Sequence, residues 1–139
     1  MIYSALEVSN YIVHIHKLTL RQLQAVLYFL QAFYITEYHH PLFSEPILAT
    51  DTGPKVQGVE EGFHNKEKVH GGEKHLTTPD KNQIRARAKE WLSCSPSYLH
   101  GMTIRSEPYE LAYAKGPNEV IPLESLYKYY RSEEDPECI

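Results

Sequence analysis

No stretch of this chain approaches about 18 consecutive apolar residues, so no membrane-spanning helix is expected. The N-terminal MIYSALEVSNY has neither a basic leader region nor an apolar core, and no signal peptide is expected in it. Cysteine is scarce. Cys94 and Cys138 stand far apart, the second beside the last residue. That usage argues against a disulfide framework and suits a reducing, cytoplasmic compartment. No glycine-rich phosphate loop is expected, since Gly71-Gly72 is too brief for one, which needs a longer glycine pattern entering a helix. Excess positive charge is missing too. Fourteen Lys and Arg face eighteen Asp and Glu, and a net charge of −4 argues against a general nucleic-acid binder.

What remains is enough for one domain. The chain has 139 residues, 42% of them apolar. A domain of that size buries a core without metal or disulfides. Ser4-Ala5-Leu6-Glu7 has capping-box spacing, and Ala5, Val8, Ile12 and Ile15 share a face, which predicts a helix over 4–16. Thr19-Leu20-Arg21-Gln22 repeats the cap. Leu20, Leu23, Val26, Leu27, Leu30 and Tyr34 then recur at helical spacing, with Ala25, Phe29, Ala32 and Phe33 widening the stripe. This helix should be enclosed by several neighbours and should stop before Pro41.

Pro46 to Thr50 is short and partly β-branched, a strand or an extended loop. Asp51-Thr52-Gly53-Pro54 reads as a turn, with Pro54 seating the next helix. Val56, Val59 and Phe63 suit a short helix. Residues 64–76 (HNKEKVHGGEKHL) carry almost no apolar content and read as a mobile loop. Thr78-Pro79-Asp80, Ser95-Pro96, Glu107-Pro108 and Pro122 mark later helix starts. Ile84, Ala88, Trp91 and Leu92 stripe the first of these helices; Leu123, Leu126, Tyr127 and Tyr130 stripe the last. The expected fold is mainly α, a compact single-domain bundle of six or seven helices with at most a short β element near residues 46–50. The domain should run over 1–132, followed by an acidic tail over 133–139.

Two blocks of the sequence resemble the Panacea domain, the SocA-like phage-associated antitoxin family. Its first signature has the form LTxxKLQKLLYLAQ followed by KPLFxExxxAWxxGPV. Leu18, Thr19, Leu23, Gln24, Leu27, Tyr28 and Gln31 match it, then Pro41, Leu42, Phe43, Glu45, Ala49, Gly53 and Pro54, with Val56 one place beyond. The second, LxxxTHxxxPWxxA, is met by Leu99, Thr103, Pro108 and Ala112. The chain departs from the pattern at Thr50, Ile104 and Tyr109, where the family carries tryptophan, histidine and tryptophan. The resemblance implies a helical antitoxin that neutralises a cognate toxin by protein–protein contact. The same domain would also serve as a phage-encoded inhibitor of a host defence protein.

Against this stands a small metal-dependent or cysteine enzyme. Eight histidines invite a metal, but zinc needs three or four ligands in fixed geometry. His14 and His16 project to different sides of a helix. His39-His40 is a lone pair, and His64, His70 and His75 fall in the expected loop. Cys94 with His100 would make a nucleophile and base only if the two met in space. No catalytic residue, cofactor or metal is therefore expected. Arg85, Arg87 and Lys89 read as a solvated helix face. Eleven tyrosines suit core edges and interfaces alike. As partner-binding residues the expectation falls on Tyr129, whose helical phase points outward, and on Arg105 and Tyr109 in the second signature.

Overall fold

Residues 2–64 and 75–131 are described by the computed structural model. The first helix, α1 (Ala5–Ile15), is capped by Ser4, whose Oγ accepts from the Glu7 amide at 3.1 Å. Glu7 does not close the box. Its carboxylate lies 3.7 Å from His75, and the Ala5 amide donates to Glu45 at 2.8 Å instead. Helix α2 (Leu20–Tyr38) carries the full capping box between Thr19 and Gln22. Every residue from Leu23 to Ala32 is buried, so this helix is the axis of the domain. It ends because His39 turns into the left-handed region (φ 61°), two residues ahead of Pro41.

The chain then forms a hairpin. Strands β1 (Ile47–Thr50) and β2 (Gly53–Val56) pair antiparallel, Ile47 opposite Val56 and Thr50 opposite Gly53. A two-residue strand, β3 (Glu119–Val120), pairs antiparallel with the other edge of β1, giving the order β2-β1-β3. The sheet is larger than the single β element expected near 46–50. Pro54 lies inside β2 and does not seat a helix. Proline, which cannot donate to a ladder, is tolerated there because β2 is an outer strand.

Helix α3 (Val59–His64) follows the hairpin. Most of the loop expected over 64–76 lies outside the described residues, but its ends do not behave as loop: His64 closes α3, and Leu76 is buried in the core. Helix α4 (Thr78–Leu92) is capped by Thr77, one residue earlier than expected, with Pro79 in its first turn. Next come α5 (Pro96–Ile104), α6 (Glu107–Ala114) and α7 (Leu123–Tyr130). Among the described residues this makes seven helices and one small sheet in a single domain. Helix α2 touches α1, α4, α5, α7 and β2. On α7, Leu126 is buried, whereas Leu123 is 38% exposed and lies off the inner face where the pattern put it. The acidic tail expected over 133–139 lies outside the described residues.

A carboxylate ties the N-terminal segment to α4. Tyr3 and Tyr34 donate to the two oxygens of Asp80 at 2.6 and 2.7 Å, and Thr77 adds a third donor at 3.0 Å. Burial by itself raises the Asp80 carboxyl, but the three hydroxyls outweigh it and hold the group below its usual range. A lowered folded pKa stabilises above the unfolded value of about 4, and that stabilisation is lost as pH falls through the folded value. Asp80→Asn should therefore cost about 1–2 kcal/mol at neutral pH, discounted for solvent screening. Urea titrations should show the gap between parent and variant closing below about pH 4. A gap that stays constant down to pH 2 would assign the cost to something other than the charge.

Candidate functional site

The tip of the β1–β2 hairpin is where the two sequence blocks meet. Thr50 Oγ1 donates to the Gly53 carbonyl at 2.7 Å and accepts from the Thr52 amide at 3.3 Å, which fixes the turn. Gly53 has φ 119°, and a Cβ there would sit 2.8 Å from His100 Cε1 and 3.7 Å from Ile104 Cγ2. Glycine is thus needed for its backbone angle and for the close approach of α5.

Helix α6 clamps the tip from the other side. Tyr109 and Tyr113, one turn apart, stack with their rings 5.6 Å apart and 8° from parallel. Tyr109 donates to the Thr50 carbonyl, and Tyr113 donates to Asp51 Oδ1 at 2.7 Å. Burial first and then the Asp51 charge push the Tyr109 hydroxyl up; the bond to Asp51 does the same to Tyr113. Both phenols stay protonated at neutral pH. Thr50, Ile104 and Tyr109 therefore lie at one corner of the fold. Tyr109 bonds the Thr50 carbonyl, and Ile104 lines a hollow together with Tyr109, Tyr113 and Asp51.

Behind the hairpin a cleft of about 660 Å³ opens between the start of α2, the sheet and α5. Arg21 and Gln24 line it from α2, His100 and Thr103 from α5, and the Lys55–Glu60 ion pair (2.5 Å) stands on its wall. Thr103 Oγ1 is satisfied by the His100 carbonyl at 2.6 Å. Burial lowers the pKa of the His100 ring, and the nearby Arg21 charge lowers it further, so the ring is neutral at pH 7.

The expected contact residues are dispersed. Tyr109 is 6% exposed, so it works as part of the clamp and has little ring to offer a partner. Tyr129 is half-buried, meeting Tyr130 edge-on at 4.8 Å, because α7 lies along α2 and α6. The more exposed rings are Tyr38 at 42% and Tyr113 at 40%. Arg105 is exposed at the end of α5, and its guanidinium folds back over Gly101. Sequence reasoning missed Arg21, Gln24, Asp51 and Tyr113. The i, i+4 spacing of Tyr109 and Tyr113 was the one signal that pointed to the clamp.

Cys94 is buried and disulfide-bonded, against the expectation of free thiols, and the chain's other cysteine lies outside the described residues. A sulfur in a disulfide is no thiolate nucleophile, so Cys94 and His100 do not form the dyad considered above. Among the described residues no three His, Cys, Asp or Glu side chains gather as metal ligands. Both arginines of α4 are engaged locally: Arg85 bonds Asn82 at 3.0 Å, and Arg87 pairs with Glu90 at 3.3 Å and lies over Phe33. No helix among the described residues is long and apolar enough to cross a membrane. Comparison with protein-family models, with curated proteins and with solved structures found no match.

Proposed function

We propose that this chain is an antitoxin-type protein of phage or prophage association, which binds a partner protein and neutralises it by direct contact in the cytoplasm. The reading rests on the resemblance of the two sequence blocks to the Panacea signatures. One observation carries it further: blocks about half the chain apart converge on a single surface. Tyr109 and Tyr113 reach Thr50 and Asp51 across 59 and 62 residues of sequence. Of the positions that depart from the family pattern, Tyr109 bonds the Thr50 carbonyl and Ile104 lines the adjoining hollow. The mechanism needs no catalytic group, cofactor or metal.

The test begins with the reading frame beside the gene. Co-expression of its product with this chain should restore growth, and the two should co-purify at fixed stoichiometry. In that complex Tyr113→Ala should weaken binding about tenfold or more, the loss expected for a central aromatic anchor. Arg105→Ala and Tyr129→Ala should each weaken it by less. Failure to co-purify, or equal rescue by a chain lacking the hairpin residues 50–53, would sink the proposal.

A further inference from the structure

Gln24 is 7% exposed, and only half of its amide is used. The Val56 amide donates to Oε1 at 2.8 Å. A backbone N–H can only donate, so the atom facing it must be the carbonyl oxygen, and Nε2 is fixed at the opposite corner. Gln24 lines the 660 Å³ cleft, and its Nε2 has no hydrogen-bond partner among the described residues. That donor is not sealed in the core but faces the cleft, where it stays open for an acceptor that enters.

Arg21, three residues earlier on α2, lines the same cleft. It is exposed and has no ion-pair partner among the described residues. The i, i+3 spacing puts the guanidinium and the open amide on one helix face. We propose that Arg21 and Gln24 together bind one carboxylate, offered by an aspartate or glutamate side chain of the partner protein.

The surroundings select that chemistry. A guanidinium matches a planar carboxylate with two parallel N–H bonds, and the Gln24 amide supplies a further donor. Lys55 on the cleft wall is already neutralised by Glu60, and His100 is neutral, so neither adds a positive charge. Asp51 adds a negative one, its carboxylate bonded to Tyr113. One unpaired cation beside one wall carboxylate fits a monoanion and disfavours a phosphate dianion. One of the two donors is also held in advance. Gln24 is anchored by β2, so its side chain loses little entropy on binding, whereas the exposed Arg21 side chain is ordered by the carboxylate. Only the source of the carboxylate rests on the contact function proposed above; the cleft itself does not.

The probe is acetate, titrated at constant ionic strength against chloride while ¹H–¹⁵N spectra follow the Gln24 side-chain amide and the Arg21 Nε–H. Both signals should move saturably with acetate. The movement should be lost in Arg21→Met, whose backbone spectrum should otherwise overlay the parent because the residue is exposed. Gln24→Glu keeps the acceptor for Val56 but replaces the open donor by a carboxylate, and it too should lose the response. No movement beyond the chloride control, an unchanged response in Arg21→Met, or an equal response to inorganic phosphate would each overturn the carboxylate site. With a partner in hand, Arg21→Met should weaken its binding tenfold or more. Acetate binding with unchanged partner affinity would overturn the assignment to a partner side chain while leaving the contact function standing. Acetate binding with no partner found would overturn the contact function and leave the site.

Discussion

Leu27→Ala should lower the stability of this domain by about 2–5 kcal/mol, the usual loss for a leucine deleted from a closed core. Leu27 is fully buried at the middle of α2, the helix that meets five other elements. Its neighbours on the same stripe, Leu23 and Leu30, are 1% and 0% exposed, so no flexible surface can collapse into the space. Domains of this size have total stabilities of about 5–15 kcal/mol, so the variant should be partly unfolded at growth temperature if the parent lies at the low end. Thermal melts followed by circular dichroism would show a drop of roughly 8–15 °C, taking a few degrees per kcal/mol. An unaltered melting curve would mean that α2 does not carry the core.

How well the fold can be read from the sequence depended on how local the determining interactions are. Helix α2 was legible because its cap, its stripe and its stop lie within 24 residues of one another. Ser95 caps α5 as expected for the same reason, and its Oγ accepts from the Tyr98 amide at 3.1 Å. The sheet was not legible. Strand β2 reads Gly-Pro-Lys-Val, a turn by composition, and becomes a strand only through its register with β1. Two residues, Glu119 and Val120, carry no periodicity, and they form a strand only because β1 offers them an open edge.

The site divides along the same line. Both sequence blocks were visible, but not that Tyr109 bonds the Thr50 carbonyl or that Ile104 lines the hollow beside it. Their contacts join residues that have no reason to be compared until the chain is folded. Tyr129 was placed outward from the phase of an eight-residue helix, and the ring of Tyr130 covers part of it. Gln24 gave no signal as a donor. A glutamine in an apolar stripe reads as a tolerated polar residue, and its role appears only once Val56, 32 residues on, occupies one end of the amide.

Gln31 is the second such glutamine and carries the other large expected effect. It is 2% exposed, and both ends of its amide are engaged with the segment after α2. Oε1 accepts from the amides of Leu42 at 2.8 Å and Phe43 at 3.3 Å, while Nε2 donates to the Phe43 carbonyl at 2.9 Å. Leu42 and Phe43 are themselves buried, so their backbone groups have no water to turn to. Gln31→Leu keeps most of the volume and removes all three bonds. At about 1–3 kcal/mol for each orphaned group, partly relieved by relaxation, the loss should be about 3 kcal/mol or more. Gln31→Glu separates hydrogen bonding from packing. A neutral carboxyl accepts with one oxygen and donates with the other, as the amide does, whereas a carboxylate cannot donate to Phe43 and is penalised by burial. Its folded pKa should therefore lie above the unfolded value of about 4.3. With a raised folded pKa, the variant should come closest to the parent below that value and lose stability as pH rises through the folded one. Denaturant titrations of parent, Gln31→Leu and Gln31→Glu between pH 4 and 8 would decide it. If the glutamate variant tracks the leucine variant at every pH, the three hydrogen bonds are not what holds the Leu42–Phe43 segment to α2.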